Sequence, residues 1–334
     1  MKPYILVVGG AGYIGSHMVK RLGQAGYPCV VLDNLSQGWR EAVPPDSLIA
    51  CDLGDASALD VMLQAFPIGA VMHFASFIQV GESLREPAKY YDNNVGNTVR
   101  LLDAMVRHGV DKFIFSSTAA IFGNPLYVPI DENHPKHPIN PYGRSKWMVE
   151  EILADFDRAY GMKSICLRYF NAAGADPDAE LGERHLPETH LIPLVLQAAS
   201  GRRGAVTVYG DDYATADGTC VRDYVHVMDL CEAHLLALQS LLAGGASDCF
   251  NLGNGNGYSI AQVIAAARQV SGRAIGQLAG PRRDGDPAVL VADSTRARKQ
   301  LQWSPNYADI NVIIRHAWAW ELKLLQEQTA GQTR

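Results

Sequence analysis

The chain opens on the feature that most restricts its fold. An apolar run, Tyr4-Ile-Leu-Val-Val8, passes directly into G-G-A-G-Y-I-G at 9–15. The glycines satisfy G-x-G-x-x-G through Gly10, Gly12 and Gly15, and G-x-x-G-x-x-G through Gly9, Gly12 and Gly15. Such spacing permits a tight turn and lets backbone N–H groups approach a pyrophosphate. The N-terminus of the next helix adds about half a positive charge. A helical pattern over 13–25 follows, so the turn joins strand to helix, which a dinucleotide site requires. Tyr13 and Ile14 fall inside that turn. The second apolar run ends V-V-L-D-N, placing Asp33 about 20 residues beyond the glycines. A carboxylate there bonds ribose hydroxyls and repels a 2′-phosphate, so NAD is favoured over NADP. The plainer alternative is that Asp33 starts a turn. Asp52-Leu53 brings a second acid to a strand end, with helix capping as its plainer role.

Strand candidates recur at 4–8, 29–32, 48–51, 70–74, 112–116 and 164–169, with helical patterns between them at 13–25, 56–66, 90–108 and 142–160. This alternation predicts an α/β fold: a Rossmann-type doubly wound parallel sheet with helices on both faces. The rhythm changes after Asn171. Residues 172–190 are rich in Gly, Pro, Asp and Glu and read as a long functional loop. Further helices are expected at 192–200, 229–242, 259–271 and 310–326, with Ser259 as an N-cap. The expected division is 1–171 plus about 221–251 for the NAD-binding domain, with a smaller, discontinuous α+β lobe from about 172–220 plus 252–334.

Several function classes are disfavoured. The 334 residues, 48% hydrophobic, are ample for a large core. Net charge is −6, with the signs interspersed and no basic tract, so no nucleic-acid partner is expected. There is no 18-residue apolar stretch, and the first apolar run is too short for a signal-peptide core. No membrane association and a cytoplasmic location are therefore expected. Six cysteines without a C-x-x-C pair read as reduced thiols. His134-Pro-Lys-His137 lacks an adjoining carboxylate–histidine pattern, and no metal site is expected.

The stretch P-Y-G-R-S-K at 141–146 places Tyr142 and Lys146 at i and i+4, on one helix face. Pro141 suits the first turn of a helix. A free phenol titrates near 10 and is a poor base at neutral pH. A nearby ammonium, and the charge of an oxidised nicotinamide, favour the phenolate and move its pKa toward the working pH. Ser116-Ser-Thr118 ends the fifth strand and opens on the same sheet edge, where Thr118 can orient a substrate hydroxyl.

Together these motifs resemble the extended short-chain dehydrogenase/reductase family, and within it the epimerases of UDP-hexoses. The supporting stretches are G-G-A-G-Y-I-G-S-H (9–17), H-F-A (73–75), V-G-E-S (80–83), Y-Y-D-N-N-V (90–95), S-S-T-A-A-I-F-G (116–123), R-Y-F-N-A-A-G-A (168–175), D-G-T-C-V-R-D-Y-V-H-V-M-D-L (217–230) and R-R-D-G-D (282–286). The resemblance implies NAD-dependent 4-epimerisation through a transient 4-keto sugar. Tyr142 would act as base, helped by Lys146 and Thr118. Gly9, Gly12, Tyr13, Ile14, Gly15, Asp33, Asn34, Asp52, Leu53, Phe74, Ala75, Asn93, Ser116, Tyr142, Lys146 and Tyr169 would contact NAD. Thr118, Phe170, Asn171, His190, Leu191, Tyr209, Arg222, Arg283, Asp286 and Leu290 would contact the nucleotide sugar. The arginines suit a diphosphate, because a guanidinium fork bonds phosphate oxygens in pairs. Each has a surface ion pair as its plainer reading. The resemblance also implies a homodimer formed through the helices at 90–108 and 142–160.

Three positions depart from the family pattern. Ile78 stands where a lysine would reach the cofactor phosphates, and His190 precedes Leu191 in place of an asparagine. Leu290 occupies a place where tyrosine would crowd the sugar 2′-substituent, which suggests activity on UDP-N-acetylhexosamines. Alternatives are another NAD-dependent nucleotide-sugar epimerase or dehydratase, or a non-catalytic NAD-binding redox sensor. Ala119-Ala120 after Thr118 lack the acid pair of a dehydratase, and the retained tyrosine and lysine argue against a sensor.

Overall fold

Strands form where the β-branched runs lie. The structure, a computed structural model, describes residues 2–283 and 286–332. Asp284 and Gly285 of the R-R-D-G-D stretch therefore lie outside the described residues. One sheet contains β1 (Tyr4–Val8), β2 (Cys29–Asp33), β3 (Leu48–Ala50), β4 (Ile68–His73), β5 (Lys112–Thr118), β6 (Lys163–Tyr169) and β7 (Asp248–Leu252). Its spatial order is 7-6-5-4-1-2-3, and every pairing is parallel. Strand β7 is absent from the expected set because its sequence, D-C-F-N-L, interrupts the apolar run. Buried Asn251 has a second duty: it donates from its side chain to Ile130 O and from its backbone to Glu132.

The helices are α1 (Tyr13–Gln24), α2 (Ala56–Ala65), α3 (Asn97–Arg107), α4 (Pro141–Tyr160), α5 (Leu191–Ser200), α6 (Val227–Leu242), α7 (Ile260–Ser271) and α8 (Ile310–Gln332). Strand β1 shows how the layers form. Ile5 and Val7 pack with Met18 and Leu22 of α1 and Leu230 and Leu238 of α6. Leu6 and Val8 belong to the opposite layer, with Leu59 of α2, Leu101 and Met105 of α3 and Val149 of α4. Successive side chains leave a strand on opposite faces, so a strand covered on both sides is apolar throughout. The expected doubly wound sheet is what forms.

A third apolar cluster joins α5, α7 and α8 through Val195, Leu196, Val263, Ile264, Ile313 and Ile314. Short strands accompany it: Asn171–Ala173 beside Tyr224–His226, and Val221–Arg222 between Tyr258–Ser259 and Val289–Leu290. Ser259 caps α7 as expected, with Gln262 completing a reciprocal capping box. The helix expected at 90–108 is broken by a π-helical turn at Tyr91–Gly96. All six cysteines are free. Among the described residues no helix is long and apolar enough to cross a membrane.

Candidate active site

The carboxyl ends of β1, β2, β4, β5 and β6 open into one cleft of about 1390 Å³, and every site residue expected from the sequence lines it. Open parallel sheets gather ligands at this edge.

At the glycine turn, Gly9 has φ +77°, and a Cβ there would lie 2.4 Å from Ala75 N; a Cβ on Gly15 would lie 2.1 Å from Gly9 O. Neither position admits another residue. Gly12 stands at the N-cap of α1 with no side chain to cap it, so the helix's first N–H groups are left for a ligand in the cleft. Asp33 accepts from Ala11 N at 2.9 Å and Leu35 N at 2.8 Å, so it starts a turn and also holds the glycine loop. Asn34 donates to Asp52 at 2.8 Å, while Asp52 also accepts from Gly54 N. A carboxylate has about four acceptor sites, so these bonds leave lone pairs for ribose. An uncapped helix start, an acid beside it and the apolar Leu53, Phe74 and Ala75 fit NAD. Tyr13 donates to Gly174 O at 2.7 Å, linking the turn to the loop after β6.

Tyr142, Lys146 and Thr118 line the same cleft. Asn140 caps α4 by accepting from Gly143 N, and Pro141 fills the first helical position. Tyr142 and Lys146 thereby share the helix face over β5. Lys146 is buried and donates to Ser116 O at 2.9 Å, 4.8 Å from the centre of the Phe115 ring. Burial lowers Lys146 to about 7, although Glu150 pulls the other way. Burial raises the Tyr142 phenol, and hydrogen bonding to Thr118 offsets only part of that. Burial thus works against the phenolate that a nearby cation favours. A lysine near 7 is only about half charged at neutral pH. Glu150 is engaged elsewhere, bonded at 3.0 Å to buried Arg168. Ser116 is hydrogen-bonded to Tyr169. Asn93 lines the cleft from the π-helical turn. Its neighbour Asn94 was missed: its amide bonds Phe77 N at 2.9 Å and Ser145 at 3.1 Å, fixing the Phe77 loop against α4. The doubled asparagine in Y-Y-D-N-N-V was the available signal.

At the far end, Asn171 donates to Asp223 O at 2.9 Å. Arg222 is paired with Asp286 inside the cleft, not on the surface. Arg283 lies 4.0 Å over the Tyr209 ring. Leu290 packs beside Phe170 against Ile121 and Phe122. His190 precedes α5, ahead of Leu191, and faces Glu183. Ile78 lines the cleft and is exposed. Glu183, His185 and Glu188 also line the cleft and were missed, because E-R-H-L-P-E-T-H at 183–190 has no helical or strand period that would align the four side chains. Burial opposes the His185 cation, yet Glu183 and Glu188 raise it to about 10. Glu183, despite burial, is held down to about 2 by His190 and His185.

A profile of the NAD dependent epimerase/dehydratase family matches residues 5–253. The chain belongs to that family. Among similar epimerases, the UDP-glucose 4-epimerase of Lacticaseibacillus casei is 51% identical over 317 residues, 95% of this chain and 96% of that protein. The UDP-glucose 4-epimerase of Brucella ovis, solved in complex with NAD, superposes with TM-score 0.93 at 47% identity, covering 95% of this chain and 98% of that one. A UDP-Glc/GlcNAc 4-epimerase from Campylobacter jejuni gives TM-score 0.84 at 42% identity, over 96% and 99% of the two chains. The epimerase likeness thus spans the sheet and the elements around α5, α7 and α8 alike.

Proposed function

We propose that this chain is an NAD-dependent UDP-hexose 4-epimerase that interconverts UDP-galactose and UDP-glucose through a transient 4-keto sugar. The observation that carries the reading is convergence: one cleft holds the glycine turn, the Tyr142–Lys146–Thr118 group and the arginines suited to a diphosphate. Oxidised NAD, when bound, supplies the hydride acceptor and a positive charge beside the phenol. Tyr142 takes the proton from the sugar 4′-hydroxyl and later returns it, while Thr118 orients that hydroxyl. Lys146, fixed by Ser116 O, favours the phenolate. Arg222 and Arg283 hold the diphosphate, so binding resides in the nucleotide and the hexose is free to present either face. Asn171, Leu191, Tyr209 and Asp286 complete that end of the site.

Leu290, without a phenol, leaves room for a 2′-acetamido group, and we extend the substrate range to UDP-N-acetylhexosamines. Two copies pair through α3 and α4, where Val99 and Met148 are left exposed. Free thiols suit a reducing cytoplasm. The test is an equilibrium assay with UDP-galactose, UDP-GalNAc, UDP-xylose and UDP-glucuronate, without added cofactor. Conversion of UDP-galactose to UDP-glucose is expected. No conversion with NAD bound to the protein would overturn the reading.

A further inference from the structure

We propose that Glu183, His185, Glu188 and His190 form a four-ligand site for one divalent transition-metal ion, with Zn²⁺ the best match. One ligand atom from each residue lies within 4.8 Å of all the others. His185 Nδ1 stands 3.1 Å from Glu183 Oε1 and 3.7 Å from Glu188 Oε2, and His190 Nδ1 stands 3.6 Å from Glu188 Oε1. A tetrahedral Zn²⁺ with bonds of about 2.0–2.1 Å separates its ligands by roughly 3.3–3.4 Å, a spacing these contacts bracket once His190 and Glu183, which are hydrogen-bonded to each other, part to admit the ion.

Hydrogen bonding alone does not account for the arrangement. His185 Nδ1 is buried and makes no hydrogen bond of proper geometry, although two carboxylates adjoin it. A metal ion satisfies that nitrogen and both carboxylates together. Two carboxylates and two imidazoles, whose protons leave to solvent as the metal binds, also balance a divalent charge, and this N₂O₂ set is borderline in softness, which selects zinc-like ions over Mg²⁺ or Ca²⁺. Arg184, between the ligands in sequence, turns away onto the Trp39 ring at 3.7 Å and toward Glu41.

The surrounding structure orients the ligands. Glu188 Oε1 accepts from Thr189 N at 2.7 Å and His190 N at 2.9 Å. Trp320 Nε1 donates to Glu183 O at 3.0 Å, and Trp39 Nε1 to Arg184 O at 2.8 Å. Such outer contacts preorganise a metal centre. His185 packs edge-on against Tyr13, with ring centres 6.4 Å apart. The ion therefore clamps the loop after β6 between the glycine turn and the start of α5. Its role is positional, because Tyr142, Lys146 and Thr118 are not among its ligands.

The experiment uses the full-length protein, stripped with chelator and titrated with Zn²⁺ by calorimetry, with elemental analysis before stripping. One equivalent is expected to bind, and thermal stability to rise with it. His185→Ala and Glu188→Ala each weaken binding by at least roughly 100-fold, the upper end of what losing even an outer-sphere partner costs. His134→Ala, outside the cluster, leaves binding unchanged. Co²⁺ in the unmutated protein is expected to give the intense visible bands of a tetrahedral centre, a readout independent of whether the variants fold. Absence of stoichiometric binding, a weak octahedral Co²⁺ spectrum, or binding unaffected by the cluster variants would each overturn the proposal.

Discussion

Two bases line the cleft and respond oppositely to being covered. Lys146 comes from the regular face of α4, and its neighbouring oxygen is a neutral carbonyl, Ser116 O. Burial brings it to about 7. His185 comes from an irregular loop and faces two carboxylates, and it rises to about 10. Loss of water penalises the cation in both cases. The partner decides the outcome: a carbonyl dipole does not replace lost hydration, whereas two carboxylates more than replace it. One end of the cleft is thereby left able to exchange protons near neutrality, and the other, until a metal displaces the histidine protons, is locked in charge.

The sharpest way to break this contrast is at the proton-exchanging end. Tyr142→Phe is expected to lower kcat for UDP-galactose roughly 10³-fold with NAD content unchanged; near-normal turnover would remove that end's assigned role. At the locked end, Glu183→Gln leaves its histidine partners without that buried charge, and urea unfolding should show a loss of about 3 kcal/mol. An unchanged midpoint would mean that the carboxylate does not hold the loop. Lys146→Met tests the lysine directly and should cost roughly 10² in kcat. Its stability signature has a definite sign. Between the folded value near 7 and the ordinary value of 10.5, the unfolded chain carries the extra proton, so stability rises with pH across that window. The methionine variant escapes this, so its gain over wild type is greatest at pH 7 and below and fades toward 10.5. A gain that stays constant in denaturant titrations at pH 7 and about 9.5 would contradict a buried lysine lowered to about 7.

Smaller effects sharpen the comparison along the rest of the cleft. Leu290→Tyr should lower UDP-GalNAc turnover at least about tenfold while sparing UDP-galactose. If the unmutated protein converts UDP-galactose but never UDP-GalNAc, the extended substrate range fails. Ile78→Lys should slow NAD release by no more than about fivefold, since an exposed charge pair is worth little; release kinetics followed by cofactor fluorescence check it.

The same contrast explains what could be read without coordinates. In α4 the helical repeat converts a spacing of four into shared geometry, so Tyr142 and Lys146 were visible as a pair. The glycine turn and Thr118 were visible because a parallel sheet delivers strand ends to one edge. Strand β7 was obscured by Asn251, whose polarity serves Ile130 and Glu132 rather than the sheet pattern. The π-helical turn at Tyr91–Gly96 leaves no mark in an apolar repeat. Glu183, His185, Glu188 and His190 meet through loop dihedrals, for which no fixed period exists. The burial that raises the Tyr142 phenol depends on packing depth, which a motif does not encode.

The bond from Tyr13 to Gly174 spans 161 positions of sequence. It fastens the first residue of α1 to the stretch where the chain leaves the central sheet. Prising the cleft apart at that point must snap a discrete link, so widening there proceeds as a step and not as a gradual drift. In amide exchange, the glycine turn and residues near 174 should lose protection together.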